Sequence, residues 1–169
     1  MAGRVILGID PGLVKTGWGV IRIIGHDLTY VDCGVLRSSA NASLGDRLVS
    51  IFTGIQRLIH HYQPIIAAIE EVFLNSNPKS TERLVMARTA AYLALAISGL
   101  RISEFKPNEI KKSVTGNGHA EKRLVSSMVW KILRLDQANK EDFAVTFPTD
   151  ATDALAIAIC LGFFSSTVP

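Results

Sequence analysis

The chain has 169 residues, is 48% hydrophobic and carries a formal net charge of +3, which excludes a disordered chain and predicts one domain spanning residues 1–169. Cys33 and Cys160 share no CxxC spacing, so neither a cysteine zinc site nor a disulfide framework is expected. The apolar run from Ala154 to Phe164 is too short to span a bilayer, and a soluble, cytoplasmic protein with no membrane partner is expected.

Arg4 to Asp10 reads as a buried strand, Thr16 to Ile23 as a second and Leu28 to Leu36 as a third, with Gly25-His26-Asp27 as the turn between the last two. Short connections between three successive strands imply an antiparallel meander. Ser43 offers an N-cap, and Leu44, Leu48, Ile51, Ile55, Leu58 and Ile59 recur at helical spacing as far as Gln63-Pro64. Ile65 to Val72 is expected to be a fourth strand, buried on both faces and parallel to the first. An alanine-rich helix from Pro78 to Gly99 leads to a fifth strand, Arg101 to Phe105. Asn108–Val114 and Ala120–Leu135 read as helices around a Thr115-Gly116-Asn117-Gly118 turn. Thr149, as N-cap, opens a final helix to about Phe164. The order predicts an α/β fold, a mixed five-stranded sheet with helices on both faces. The pattern shows no internal repeat, low-complexity tract or linker.

Four carboxylates stand where packing alone would not select them. Asp10 ends the run Val5-Ile6-Leu7-Gly8-Ile9, and Glu70 ends the run Ile65 to Ile69. Asp150 and Asp153 lie at i and i+3 before the run Ala154 to Ile159 and so share one face of a first helical turn. Acids beside buried apolar runs are costly unless something pairs with them. If the first and fourth strands are neighbours, the acids converge, and a cation must offset their repulsion. Such clusters hold Mg²⁺ against phosphate substrates, so metal-dependent phosphodiester chemistry is the leading expectation. Three of the four also have a plainer reading: a turn residue for Asp10 in Asp-Pro-Gly, a first-turn helix acid for Asp150, a solvated one for Asp153; Glu70, at a buried strand end, has none. Glu71 is the alternative to Glu70, and strand alternation allows only one of them to join Asp10.

From Arg101 to Arg134 eight basic residues face three acids, a local excess suited to a nucleic-acid backbone or to a solvated helical face. His60 and His61 are adjacent on a helix and point about 100° apart, a poor arrangement for one metal. His26 falls in a turn. His119 stands close enough to Lys122 in sequence to approach the same phosphate.

Ile6-Leu7-Gly8-Ile9-Asp10-Pro11-Gly12 with Thr16-Gly17-Trp18-Gly19-Val20 resembles the opening motif of the RuvC family of crossover-junction endodeoxyribonucleases. Ala68-Ile69-Glu70-Glu71-Val72-Phe73 resembles the second motif, and Gly116 to Lys122 resembles the entry to the basic helix. Asp150-Ala151-Thr152-Asp153-Ala154-Leu155-Ala156-Ile157-Ala158 resembles the last. The four occur in family order over nearly the whole chain. This resemblance implies an RNase H-like fold, a homodimer, a branch-migration helicase complex as partner, and four-way (Holliday) junction DNA as substrate. It implies catalytic, metal-binding roles for Asp10, Glu70, Asp150 and Asp153, base stacking near the crossover for Phe73, and phosphate contacts for Lys111 and Lys122. Two departures stand out: Asp136 to Phe147 is long for the approach to the last motif, and no basic tail follows that motif.

The expected mechanism uses two Mg²⁺ ions about 4 Å apart. Asp10 would bridge them, Glu70 would hold one, Asp150 and Asp153 the other, and Lys122 would stabilise charge on the phosphate. Paired symmetric nicks on strands of like polarity would follow from a two-fold dimer. Ala87, Ala90, Ala91 and Ala94 offer a close-packed dimer face or, with more weight, a core helix. Three rivals remain at this level. Asp10-Pro11-Gly12 also resembles the phosphate hairpin of actin-like ATPases and sugar kinases, which need a second copy of the fold. A branched-DNA binder without cleavage is another, and an RNase H-like nuclease of RNA–DNA hybrids is the third.

Overall fold

A computed structural model describes residues 3–72, 78–135 and 147–165. Along the chain run β1 (Arg4–Asp10), β2 (Lys15–Ile24), β3 (Asp27–Arg37), α1 (Leu44–Tyr62) and β4 (Ile66–Glu70). They are followed by α2 (Pro78–Ile97), β5 (Arg101–Phe105), α3 (Pro107–Thr115), α4 (Lys122–Ile132) and α5 (Thr149–Ser165). The strands form one sheet in the order β3-β2-β1-β4-β5. β1, β2 and β3 pair antiparallel as the meander, whereas β4 lies parallel to both β1 and β5.

The two faces of the sheet build two cores. Leu7, Ile9, Val20, Ala67 and Ile69 pack against Ile51 and Ile55 of α1 and against Ala87, Ala91, Ala94 and Leu95 of α2. Ile6, Ile21, Ile23, Ile66 and Ala68 pack on the other side with α3, α4 and α5. Strand alternation assigns each residue its side. A fully buried Ile or Leu stabilises the fold by roughly 1.5–3 kcal/mol, so the isoleucines of β1, β2 and β4 carry much of it.

Element ends follow local chemistry. The Ser43 hydroxyl caps α1 by accepting from the Asp46 N–H at 3.2 Å, and Gln63 closes that helix at a φ of 49° just before Pro64. β4 is shorter than the apolar pattern implies: it runs Ile66–Glu70 rather than Ile65 to Val72. α4 likewise starts at Lys122 and stops at Ile132, inside the expected span. Thr149 is the first residue of α5 rather than its cap; the Pro148 carbonyl accepts from Ala151 and Thr152 instead.

α5 is buried almost all round from Ala151 to Leu161, because it runs over the sheet and is flanked by α3 and α4. Its approach to the sheet is close enough to demand glycine. A methyl at Gly8 would overlap the Ala154 carbonyl oxygen and sit 2.7 Å from the Ala158 nitrogen, and one at Gly17 would overlap the Asp150 carbonyl oxygen. Among the described residues, no helix is long and apolar enough to cross a membrane.

Candidate active site

Asp10 and Glu70 end two neighbouring parallel strands. The β1–β4 ladder closes at Ile9 opposite Ile69, which leaves the two acids as the next residues on each strand. Ile6 and Gly8 face α5, and alternation puts Asp10 on that face too. Ile66 and Ala68 do the same for Glu70, so Glu71 falls on the opposite face, as alternation requires. The glycine platform then delivers the third and fourth acids. Gly17 is registered with Asp10 and lies against the Asp150 backbone, which sets the first turn of α5 over the ends of β1 and β4.

Asp10, Glu70 and Asp153 line one cleft of about 290 Å³ together with Lys111 and Lys122. Its walls are apolar: Pro107 and Ile110 of α3, Val125 of α4, Ala156 and Ile157 of α5. Asp150 lies beside this cleft rather than in its lining, and its charge still reaches Asp10. Lys122 Nζ is 3.1 Å from Asp153 Oδ2. Among the described residues, no three acidic, histidine or cysteine side chains converge on one point as a ready metal cage.

The electrostatics of the cleft are those of crowded negative charge. Burial first, then Glu70, Asp153 and Asp150, push the Asp10 carboxyl up to about 8, with Lys122 pulling it back. Glu70 is raised as well, by burial and then by Asp153, against Lys122 and Lys111. The Asp153 carboxylate, by its charge and its hydrogen bond, raises Lys122 and keeps it cationic.

Other residues expected at the site fall as follows. Lys111 and Lys122, eleven residues apart on separate helices, converge on the same cleft. His119 lies outside it, in the α3–α4 loop, with its N–H bonded to Asn117 Oδ1 at 2.9 Å. Phe73 and residues 136–146 lie outside the described residues, so stacking by Phe73 rests on the sequence alone. Beside the cleft, a groove of about 550 Å³ shares Lys122 and adds Arg123, Ser126, Ser127, Trp130 and Thr149. Arg88 of α2 also reaches the site, through the Glu70 carbonyl at 2.9 Å. As one of three cations in α2, beside Lys79 and Arg83, it gives no sequence signal for that contact.

The family model described as "Crossover junction endodeoxyribonuclease RuvC" matches residues 6–161. A protein of that name from Beijerinckia indica is 45% identical over 154 residues, covering 91% of this chain and 83% of that protein. One from Legionella pneumophila is 44% identical over 156 residues, covering 92% and 85%. Thermus thermophilus RuvC in complex with Holliday junction substrate superposes with a TM-score of 0.85 at 28% identity, covering 96% of this chain and 95% of that one. Sequence and fold thus agree from the first strand to the last helix, and the chain belongs to the RuvC family of crossover junction endodeoxyribonucleases.

Proposed function

We propose that this chain is a Holliday junction resolvase, an endonuclease that makes paired symmetric nicks in four-way DNA junctions during recombination and repair. The observation that carries this reading is the convergence of Asp10, Glu70 and Asp153 with Lys111 and Lys122 in one cleft, in a chain whose fold matches a junction-bound relative. Neighbouring Lys122 and Arg123 extend the basic surface along the adjoining groove, giving a strand's phosphates further cationic contacts. A cytoplasmic site of action and a branch-migration helicase complex as partner follow from that substrate.

The family is metal-dependent, and the residues present fit a divalent ion. Their donors are carboxylate oxygens, the hard ligands Mg²⁺ prefers, and burial together with their mutual repulsion favours a proton on Asp10 that a cation would replace. On this reading Asp10, Glu70, Asp150 and Asp153 would hold the Mg²⁺, two ions per site. Such ions, once bound, supply an activated water and neutralise the phosphate. The protein's own side chains orient the substrate. Lys111 and Lys122 take the non-bridging phosphate oxygens, and Lys122 exchanges its partner Asp153 for that phosphate. The walls of Ile110, Val125 and Ile157 limit water and strengthen each charge interaction inside the cleft.

Two cuts need two clefts, which a homodimer supplies. Of the α2 alanines, Ala87, Ala91 and Ala94 are wholly buried against the sheet, whereas Ala90 is half-buried. The outer side of α1 and α2 instead carries an apolar groove of about 400 Å³ lined by Leu48, Val49, Phe52, Val85, Met86 and Leu93. A second copy seated there is the proposed dimer contact.

The test is cleavage of a labelled synthetic four-way junction with and without Mg²⁺, beside Asp10→Asn. Paired, ligatable nicks that need both the ion and Asp10 are expected. Tight junction binding without nicks would leave a structure-specific binder, and wild-type nicking by Asp10→Asn would remove the carboxylate mechanism.

A further inference from the structure

The acid cleft lies on one face of the sheet, and a buried guanidinium grips the same strand end from the other. Arg88 sits on α2, whose alanines pack against the opposite face of β4. Its Nε donates to the Glu70 carbonyl oxygen at 2.9 Å, and its Nη2 pairs with the Glu104 carboxylate of β5. Tyr92, one turn along α2, presents its ring 5.7 Å from the guanidinium. The Arg88 side chain is only 19% exposed. Burying a guanidinium is costly unless its donors are matched, and here backbone, carboxylate and ring together match them.

Glu70 is the last residue of β4, and its ladder to β1 has already ended at the Ile9–Ile69 pair. What holds the backbone there is β5, through the Glu71 N–H donating to the Phe105 carbonyl at 2.9 Å, and Arg88. Reactive groups must be held to within about 0.5 Å by surrounding contacts, and a strand end released on one side would not meet that tolerance. We propose that Arg88 is a positioning residue: it fixes the end of β4 through the Glu70 carbonyl, and thereby sets where the Glu70 carboxylate stands in the cleft. This rests on the reading of Glu70 as an ion-holding acid of a junction nuclease.

The experiment compares the full chain with Arg88→Ala, Arg88→Lys and Glu104→Gln. Three readouts are taken: the Mg²⁺ concentration giving half of the ion-induced rise in Tm without DNA, single-turnover cleavage at saturating junction, and junction Kd in EDTA. For Arg88→Ala, half-saturating Mg²⁺ should rise and the cleavage rate should fall, each by roughly 10–100-fold, the usual effect of removing a partner that orients a ligand. Junction Kd and oligomeric state should not move. Arg88→Lys should recover only part of the loss, because a point charge cannot serve the carbonyl and Glu104 together. Glu104→Gln keeps an acceptor for the guanidinium and should lose less than Arg88→Ala.

An unchanged Mg²⁺ midpoint in folded Arg88→Ala overturns the inference, as does a cleavage loss that only tracks the folded fraction. Should Arg88→Ala not fold, the Arg88→Lys midpoint decides in the same way. The underlying function is tested separately by the wild-type chain. No Mg²⁺-dependent nicking by wild type removes both readings, whereas normal nicking by wild type and Arg88→Ala alike removes only this one.

Discussion

Burial and the carboxylates of Glu70, Asp153 and Asp150 hold the Asp10 carboxyl near 8, against an unfolded value near the ordinary 3.8. Between those two pH values the folded chain keeps a proton that the unfolded chain has lost. The contribution of Asp10 to stability therefore falls as pH rises from about 4 to about 8 and is flat above. Glu70 is shifted the same way and adds to the slope. In EDTA, the Tm of wild type should drop from about pH 5 to about pH 8 more steeply than that of Asp10→Asn, which has no carboxyl to ionise. Mg²⁺ competes with the proton, so its stabilisation should be largest near pH 8. Thermal melts over that range check both points, and parallel slopes for the two proteins would contradict them. These acids were legible in the sequence because each ends or directly precedes an apolar run where a charge is expensive. Arg88 was not, because a single arginine in a helix looks like any solvated residue until its partners on β4 and β5 are known.

The acids converge only because α5 lies almost in contact with the sheet, and Gly8 and Gly17 permit that approach. Gly8→Ala puts a methyl into the Ala154 carbonyl oxygen, and the helix must move away with Asp150 and Asp153. Overpacking of this kind costs about 1–3 kcal/mol. The expected outcome is a lower urea midpoint together with slower cleavage, at little change in junction affinity. Gly25→Asn is the control: Gly25 has a φ of 64° in the β2–β3 turn and open space around it, and asparagine tolerates that conformation. Equal losses in both variants would show that the Gly8 effect is not one of helix approach. Strand and helix periodicity in the sequence located every described element, from the Ser43 cap to the parallel β4. The glycines' purpose was hidden, since it depends on which helix crosses them. The short ends of β4 and α4 were hidden too, because apolar residues continue past the last ladder or helix bond.

At the scale of the molecule, Ala87, Ala91 and Ala94 of α2 face inward with Leu95, while several larger apolar residues of α1 and α2 stand exposed. Val49, Val85, Leu93 and Ile97 are 61%, 41%, 49% and 62% exposed, an arrangement that burial within one chain does not explain. Alanine periodicity alone left core and interface open for this helix. The sheet takes Ala87, Ala91 and Ala94, while Ala90 is half-buried and lines the α1–α2 groove, where the proposed contact lies. Leu93→Glu places a charge in that groove at a position already half in solvent, so the folded chain should lose less than about 1 kcal/mol. A dimer seated there would have to bury the new charge unpaired, at a cost large enough to shift it to monomer. Light scattering should then give half the wild-type mass with an unchanged Tm. On a four-way junction the same variant should nick one strand at a time, because each cleft remains intact while the symmetry that pairs the cuts is gone. A Leu93→Glu protein that stays dimeric and cuts in pairs would place the two-fold contact elsewhere on the molecule, whereas a monomer that nicks singly would tie paired cleavage to this groove.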